Sequence, residues 1–171
     1  MGNVVEDRCK SVMAHLLSRG WRLGTAESCT GGLIGYRLTS VSGSSRYFAG
    51  GIIAYSDDIK IKYLEVDADV LHRHGAVSEP VARQMARGVC DRAGTTWGLS
   101  TTGIAGPDGG TPEKPVGTVY IGVALAAPWG SGKSTTQVRH YEFDGDRTDI
   151  KRQIAEQALT DLRAGVESGS P

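Results

Sequence analysis

Apolar and polar residues alternate along the chain in a way that divides it into helical and extended segments. From Val4 to Arg19, apolar side chains recur at Val5, Cys9, Val12, Met13, Leu16 and Leu17. That is the three-to-four spacing of one helix face, and Gly20 stops the run. Residues 21–26 read as a short strand entering a turn, and a second helix is expected over about 30–41, with Leu33, Ile34 and Leu38 inward. Residues 47–55, YFAGGIIAY, read as a buried strand with a glycine pair. Short helices are expected at 59–66 and 67–74. Ser78-Glu79-Pro80 is a helix start, a cap followed by an acid and a proline in the first turn, and that helix runs to about Ala93.

Strands are predicted at 97–103, 116–126 and 134–143, the last two joined by a hairpin loop at 127–133. A final helix covers 146–166, and residues 167–171 are expected to fray. Helices between the early strands and an antiparallel pair near the end predict an α/β fold. The expected form is a three-layer α/β/α sandwich on a mixed β-sheet. The 171 residues suit one domain, 1–171, with a core over about 5–165. No internal repeat or linker divides it.

Composition narrows the function. Lys plus Arg equals Asp plus Glu at 19 each, without a like-charge run, so no nucleic-acid footprint is present. No apolar run approaches the roughly 18 residues that span a bilayer. The N-terminus is polar, without a signal-peptide core, and the myristoylation-like Gly2 is followed by Glu6 where Ser or Thr is needed. Three unevenly spaced cysteines, Cys9, Cys29 and Cys90, suit a reducing compartment. A cytoplasmic chain with no membrane or nucleic-acid partner is expected. Gly130-Ser131-Gly132-Lys133-Ser134-Thr135 imitates the end of a phosphate-binding loop, but Ala127 stands where the pattern needs glycine. The residues after it also read as a strand, whereas such a loop must open a helix. A hairpin turn is the simpler reading.

Two segments are richer in small polar residues and glycine than packing demands. Thr25-Ala-Glu-Ser-Cys-Thr-Gly-Gly32 lies at a strand-to-helix junction, where helical amides can meet an anion; on the segment alone, Ser28 or Thr30 as a simple helix cap is the favoured reading. Gly43-Ser44-Ser45 precedes Tyr55 by ten residues and Lys60 by fifteen, counted from Ser45. A serine nucleophile needs a base. None of His15, His72, His74 or His140 lies in such a segment, which leaves a Ser–Lys arrangement, direct or relayed by Tyr55. The lysine would have to be desolvated to act. On spacing alone, an ordinary loop is the better explanation of these residues. Cys29 is a rival nucleophile at the strand-to-helix junction, without a nearby histidine. His72 and His74, two apart, would diverge on a helix, and no metal site is expected there.

The segments AESCTGGLIG (26–35), GSSRYFAGGIIAYSDDIK (43–60), GAVSEPVARQMARGV (75–89) and TGIAGPDGG with KPVGTVY (102–120) resemble the C-terminal domain of the competence/damage-inducible CinA proteins. The resemblance runs from about residue 5 to 165. It implies that fold, and a Ser/Lys amidohydrolase converting nicotinamide mononucleotide to nicotinate mononucleotide and ammonia. By motif it implies Ser45 as nucleophile, Tyr55 as relay and Lys60 as base. Ser28 and Thr30 would line the pocket, and Arg147 would contact substrate. Asp57 stands where relatives often carry Asn. For the phosphate, the amides of Gly31 and Gly32, the 104–110 loop with Gly106 and Gly109, and Arg147 are the candidates. The resemblance implies no metal or cofactor and a homo-oligomer, a dimer. The alternative is a non-catalytic nucleotide-binding module, since longer relatives carry a further N-terminal domain.

Overall fold

The structure is a computed structural model that describes residues 4–127 and 134–171. Three strands run parallel: β1 (Leu23–Glu27), β2 (Phe48–Ile53) and β3 (Trp97–Gly103). Two more, β4 (Thr118–Leu125) and β5 (Thr135–Glu142), extend the sheet antiparallel, in the order β2-β1-β3-β4-β5. Every residue of β1 is buried, as a strand covered on both faces requires, whereas β2 at the edge alternates between half-buried and exposed.

Helices cover both faces. α1 (Val4–Ser18), α2 (Leu33–Thr39) and α6 (Arg147–Ser168) share one core with the sheet through Leu16, Ile34, Leu99, Ile121 and Leu159. α3 (Asp57–Leu64), α4 (Ala68–His74) and α5 (Glu79–Ala93) form the other layer around Leu64, Leu71, Val81 and Met85. The expected three layers and mixed sheet are present. Small residues let the second layer close tightly. A side chain at Gly98 of β3 would collide with the Ala86 carbonyl of α5, and one at Gly88 of α5 with the Leu64 carbonyl of α3. The close α5–α3 approach fixes α3 against the sheet.

Several boundaries differ from the sequence reading for local reasons. α2 begins at Leu33, not near residue 30, because Gly31 and Gly32 adopt positive φ of 61° and 99° in the turn before it. The Ser78 hydroxyl donates to the Gly75 carbonyl (2.8 Å) instead of accepting from a helix amide. The chain end, expected to fray, closes α6. Gly169 takes a left-handed conformation, and the Ser170 N–H donates to the Gly165 carbonyl at 3.1 Å. The imitation phosphate loop leads into strand β5. Its Gly130–Lys133 part, and nearly all of the expected hairpin loop at 127–133, lie outside the described residues. Among the described residues, no helix is long and apolar enough to cross a membrane.

Candidate active site

Parallel strands bring their carboxyl ends to one edge of the sheet, where α/β folds hold ligands. Here β1 delivers Ser28, β2 delivers Tyr55, and β3 delivers Thr102 and the loop from Ile104 to Gly110. Together with Lys60 of α3 and Arg147 at the start of α6, they line one cavity of about 270 Å³. Gly106 and Gly109 form part of its wall.

Glu27 organises the loop that carries Ser28. Its buried carboxylate accepts the N–H groups of Gly32 (3.0 Å), Ile34 (3.1 Å) and Gly35 (2.9 Å). The chain thus supplies its own anion to the amides that begin α2. Ser28 is pinned from both sides: its N–H donates to the Thr101 carbonyl (3.0 Å), and its carbonyl accepts from the Gly31 N–H (3.1 Å). Thr30 is buried, its hydroxyl paired with that of Thr101 at 2.8 Å. The amides of Gly31 and Gly32, expected to receive phosphate, are therefore already taken by Ser28 and Glu27.

Lys60 is 1 % exposed. Its first contact is the Tyr55 carbonyl, to which Nζ donates at 3.5 Å, and its second is the Asp57 carboxylate at 3.7 Å. Burial pushes the lysine pKa below its usual value, and the Asp57 charge opposes this without reversing it. Asp57 is 61 % exposed on its side chain, so water weakens its hold. Tyr55 touches Lys60 through its backbone, not its hydroxyl. The hydroxyl accepts from Arg147 Nη2 at 2.8 Å, and Arg147 Nη1 donates to the Gly106 carbonyl at 2.6 Å. The expected Tyr55 relay has no counterpart in these contacts.

Ser45 lies elsewhere. It is an exposed residue in the short helical turn Ser44–Arg46, which precedes β2, whereas Tyr55 and Lys60 follow it. The six residues of β2 separate the two ends by about 20 Å. The nucleophile expected at Ser45 is therefore at the wrong end of the sheet. Ser28, expected only to shape the pocket, shares the cavity with Lys60. Cys29 is buried there too, and burial pushes its thiol up to about 12, which keeps it protonated and unreactive. Thr102 and Glu27 were not singled out from sequence. Both lie at carboxyl ends of parallel strands, and that position was the available signal.

The family model for the CinA C-terminal domain matches residues 6–166. The chain is 50 % identical over 151 residues to a CinA-like protein of Chlorobaculum tepidum, covering 88 % of this chain and 35 % of that protein. It is 51 % identical over 148 residues to a CinA-like protein of Salinibacter ruber, covering 86 % and 34 %. The chain thus spans about a third of the length of these relatives. Among solved structures, the competence damage-inducible protein A of Klebsiella pneumoniae superposes with a TM-score of 0.88 at 32 % identity, covering 96 % of this chain and 98 % of that one. The competence/damage inducible protein CihA of Agrobacterium tumefaciens gives 0.86 at 35 % identity, covering 96 % of each.

Proposed function

The chain belongs to the CinA C-terminal domain family, and from that premise we propose that it is an amidohydrolase converting nicotinamide mononucleotide to nicotinate mononucleotide and ammonia, with Ser28 as nucleophile and Lys60 as base. The observation that carries this reading is one cavity holding both Ser28 and a buried lysine whose burial favours the neutral amine. A neutral amine can take a serine proton; an ammonium cannot.

In this mechanism neutral Lys60 removes the Ser28 proton as Oγ attacks the carboxamide carbon. Backbone amides bordering the cavity, with the 104–110 loop as the candidate source, stabilise the oxyanion; losing one such donor typically costs about 10²–10³ in rate. The C–N bond breaks and ammonia leaves with the proton Lys60 returns. Lys60 then deprotonates a water, which attacks the ester, and nicotinate mononucleotide departs as Ser28 regains its proton. Arg147, held by Tyr55 and Gly106, presents a fixed cation at the cavity wall.

The test is an ammonia-release assay on nicotinamide mononucleotide. Wild type is expected to release ammonia and nicotinate mononucleotide in equal amounts, and Ser28→Ala neither. Full activity in Ser28→Ala, with loss in Cys29→Ser, would refute the assignment. Tight binding of an unchanged nucleotide by wild type would favour a non-catalytic module.

A further inference from the structure

A second cavity, of about 570 Å³, borders Thr30 and Gly31 of the loop that carries Ser28. Arg37, Thr148, Lys151 and Arg152 are among the side chains that line it, and its charged lining is wholly cationic. The nearby carboxylates meet two of its three cations, Arg37 and Arg152, and leave Lys151. Glu156 is shared between Arg37 (3.6 Å) and Arg152 (3.4 Å), and Asp149 meets Arg152 at 3.6 Å. Arg37 Nη1 is buried without a hydrogen-bond partner. Lys151 has no ion pair or hydrogen bond among the described residues. A methyl group at Gly31 would stand 3.5 Å from Lys151 Nζ, so this amine faces the loop, and the missing side chain at Gly31 keeps the space beside it open.

A half-buried lysine with neither ion pair nor hydrogen bond, beside an arginine nitrogen that has an ion pair with Glu156 but no hydrogen bond, is what an anion would satisfy. The Gly31 and Gly32 amides are occupied internally, so the cationic side chains are the main groups left to hold an anion here. Ser28 and Thr30, which line the two cavities, are two residues apart, at most about 7 Å along the backbone. In the substrate one ribose separates the ring from the phosphate. Resting on the amidohydrolase reading, we propose that this basic cavity is the subsite for the substrate's phosphomonoester, with Lys151, Arg37 and the Thr148 hydroxyl as its ligands. Lys151 supplies the point charge, and Arg37 a donor that its ion pair with Glu156 leaves without a hydrogen bond. The site then reads its substrate at two positions: amide at Lys60 and Ser28, phosphate at Lys151.

The experiment compares nicotinamide mononucleotide with nicotinamide riboside, which has the same amide and ribose but no phosphate, on wild type, Lys151→Met and Lys151→Arg. In wild type the mononucleotide is expected to be strongly preferred in kcat/KM. Lys151→Met is expected to reduce that preference at least tenfold through KM, and Lys151→Arg to restore most of it. An unchanged preference in Lys151→Met would overturn the proposal. A separate arm titrates wild type and Lys151→Met with inorganic phosphate and ribose 5-phosphate, followed by amide chemical shifts. Saturable shifts at Gly31 and Thr148 in wild type, at least tenfold weaker in the variant, support the subsite; no saturable shift in wild type overturns it. If wild type releases no ammonia from the mononucleotide, the amidase reading fails, and this arm alone decides the subsite. If Lys151→Met does not fold, Arg37→Gln replaces it in both arms with the same criteria.

Discussion

Two serine-bearing loops sit at opposite ends of the same parallel strands. Both are short, rich in glycine and hydroxyls, and adjacent to a strand. The loop after β1 is buried from Ser28 to Thr30 and tied down: Glu27 holds the Gly32 amide and two amides of α2, Thr101 holds Ser28, and Lys60 lines the same cavity. The turn before β2 is half-buried at Ser44 and exposed at Ser45 and Arg46. A serine becomes reactive through the fixed groups around its oxygen, and only the carboxyl end of the sheet supplies them.

The largest expected effect separates the two loops outright. Ser28→Ala should reduce kcat at least about 10³-fold, whereas Ser45→Ala should leave it within about twofold; the reverse pattern in ammonia release would erase the comparison. Lys60→Met should lower kcat by about 10²–10⁴ while making the protein more stable. Burial lowers the lysine pKa, so the folded state binds fewer protons than the unfolded one. Stability therefore rises with pH toward the unfolded lysine value of about 10.4, and burying this amine is a cost at neutral pH. Removing it should add on the order of 1 kcal/mol at pH 7, a gain that shrinks at alkaline pH in urea titrations.

Glu27→Ala should cost roughly 2–4 kcal/mol by stranding the amides its carboxylate accepts. Ser45→Ala should change stability by less than about 0.5 kcal/mol, and thermal melts of the two variants would measure that contrast. The smallest effect concerns Asp57. Its charge raises the Lys60 pKa against desolvation, so Asp57→Asn should move the acidic limb of kcat/KM to lower pH. A limb that stays put would mean that Lys60 does not control it.

The layers and strands were legible because period-2 and period-3.6 patterns report burial, and burial dominates there. The residues Lys60, Tyr55, Ser28 and Arg147 were also legible as members of a site. Their mutual arrangement was not. Ser45 and Ser28 lie in segments of like composition, and strand direction, which decides which end each occupies, is a non-local property. Tyr55 reads as a proton relay by spacing, yet its hydroxyl goes to Arg147, a residue 92 positions away. Gly31 and Gly32 read as anion donors because nothing in a linear pattern says that Glu27 turns back onto the helix start.

Cys29 carries a consequence for how the site would fare under chemical stress. With a thiol held at about 12, roughly one molecule in 10⁵ carries the thiolate at pH 7. Alkylating agents and peroxides attack that form. A site that places its sulfur out of reach and its reactivity on an oxygen should keep working while cysteine-based hydrolases around it are silenced. Brief iodoacetamide treatment is therefore expected to leave turnover intact.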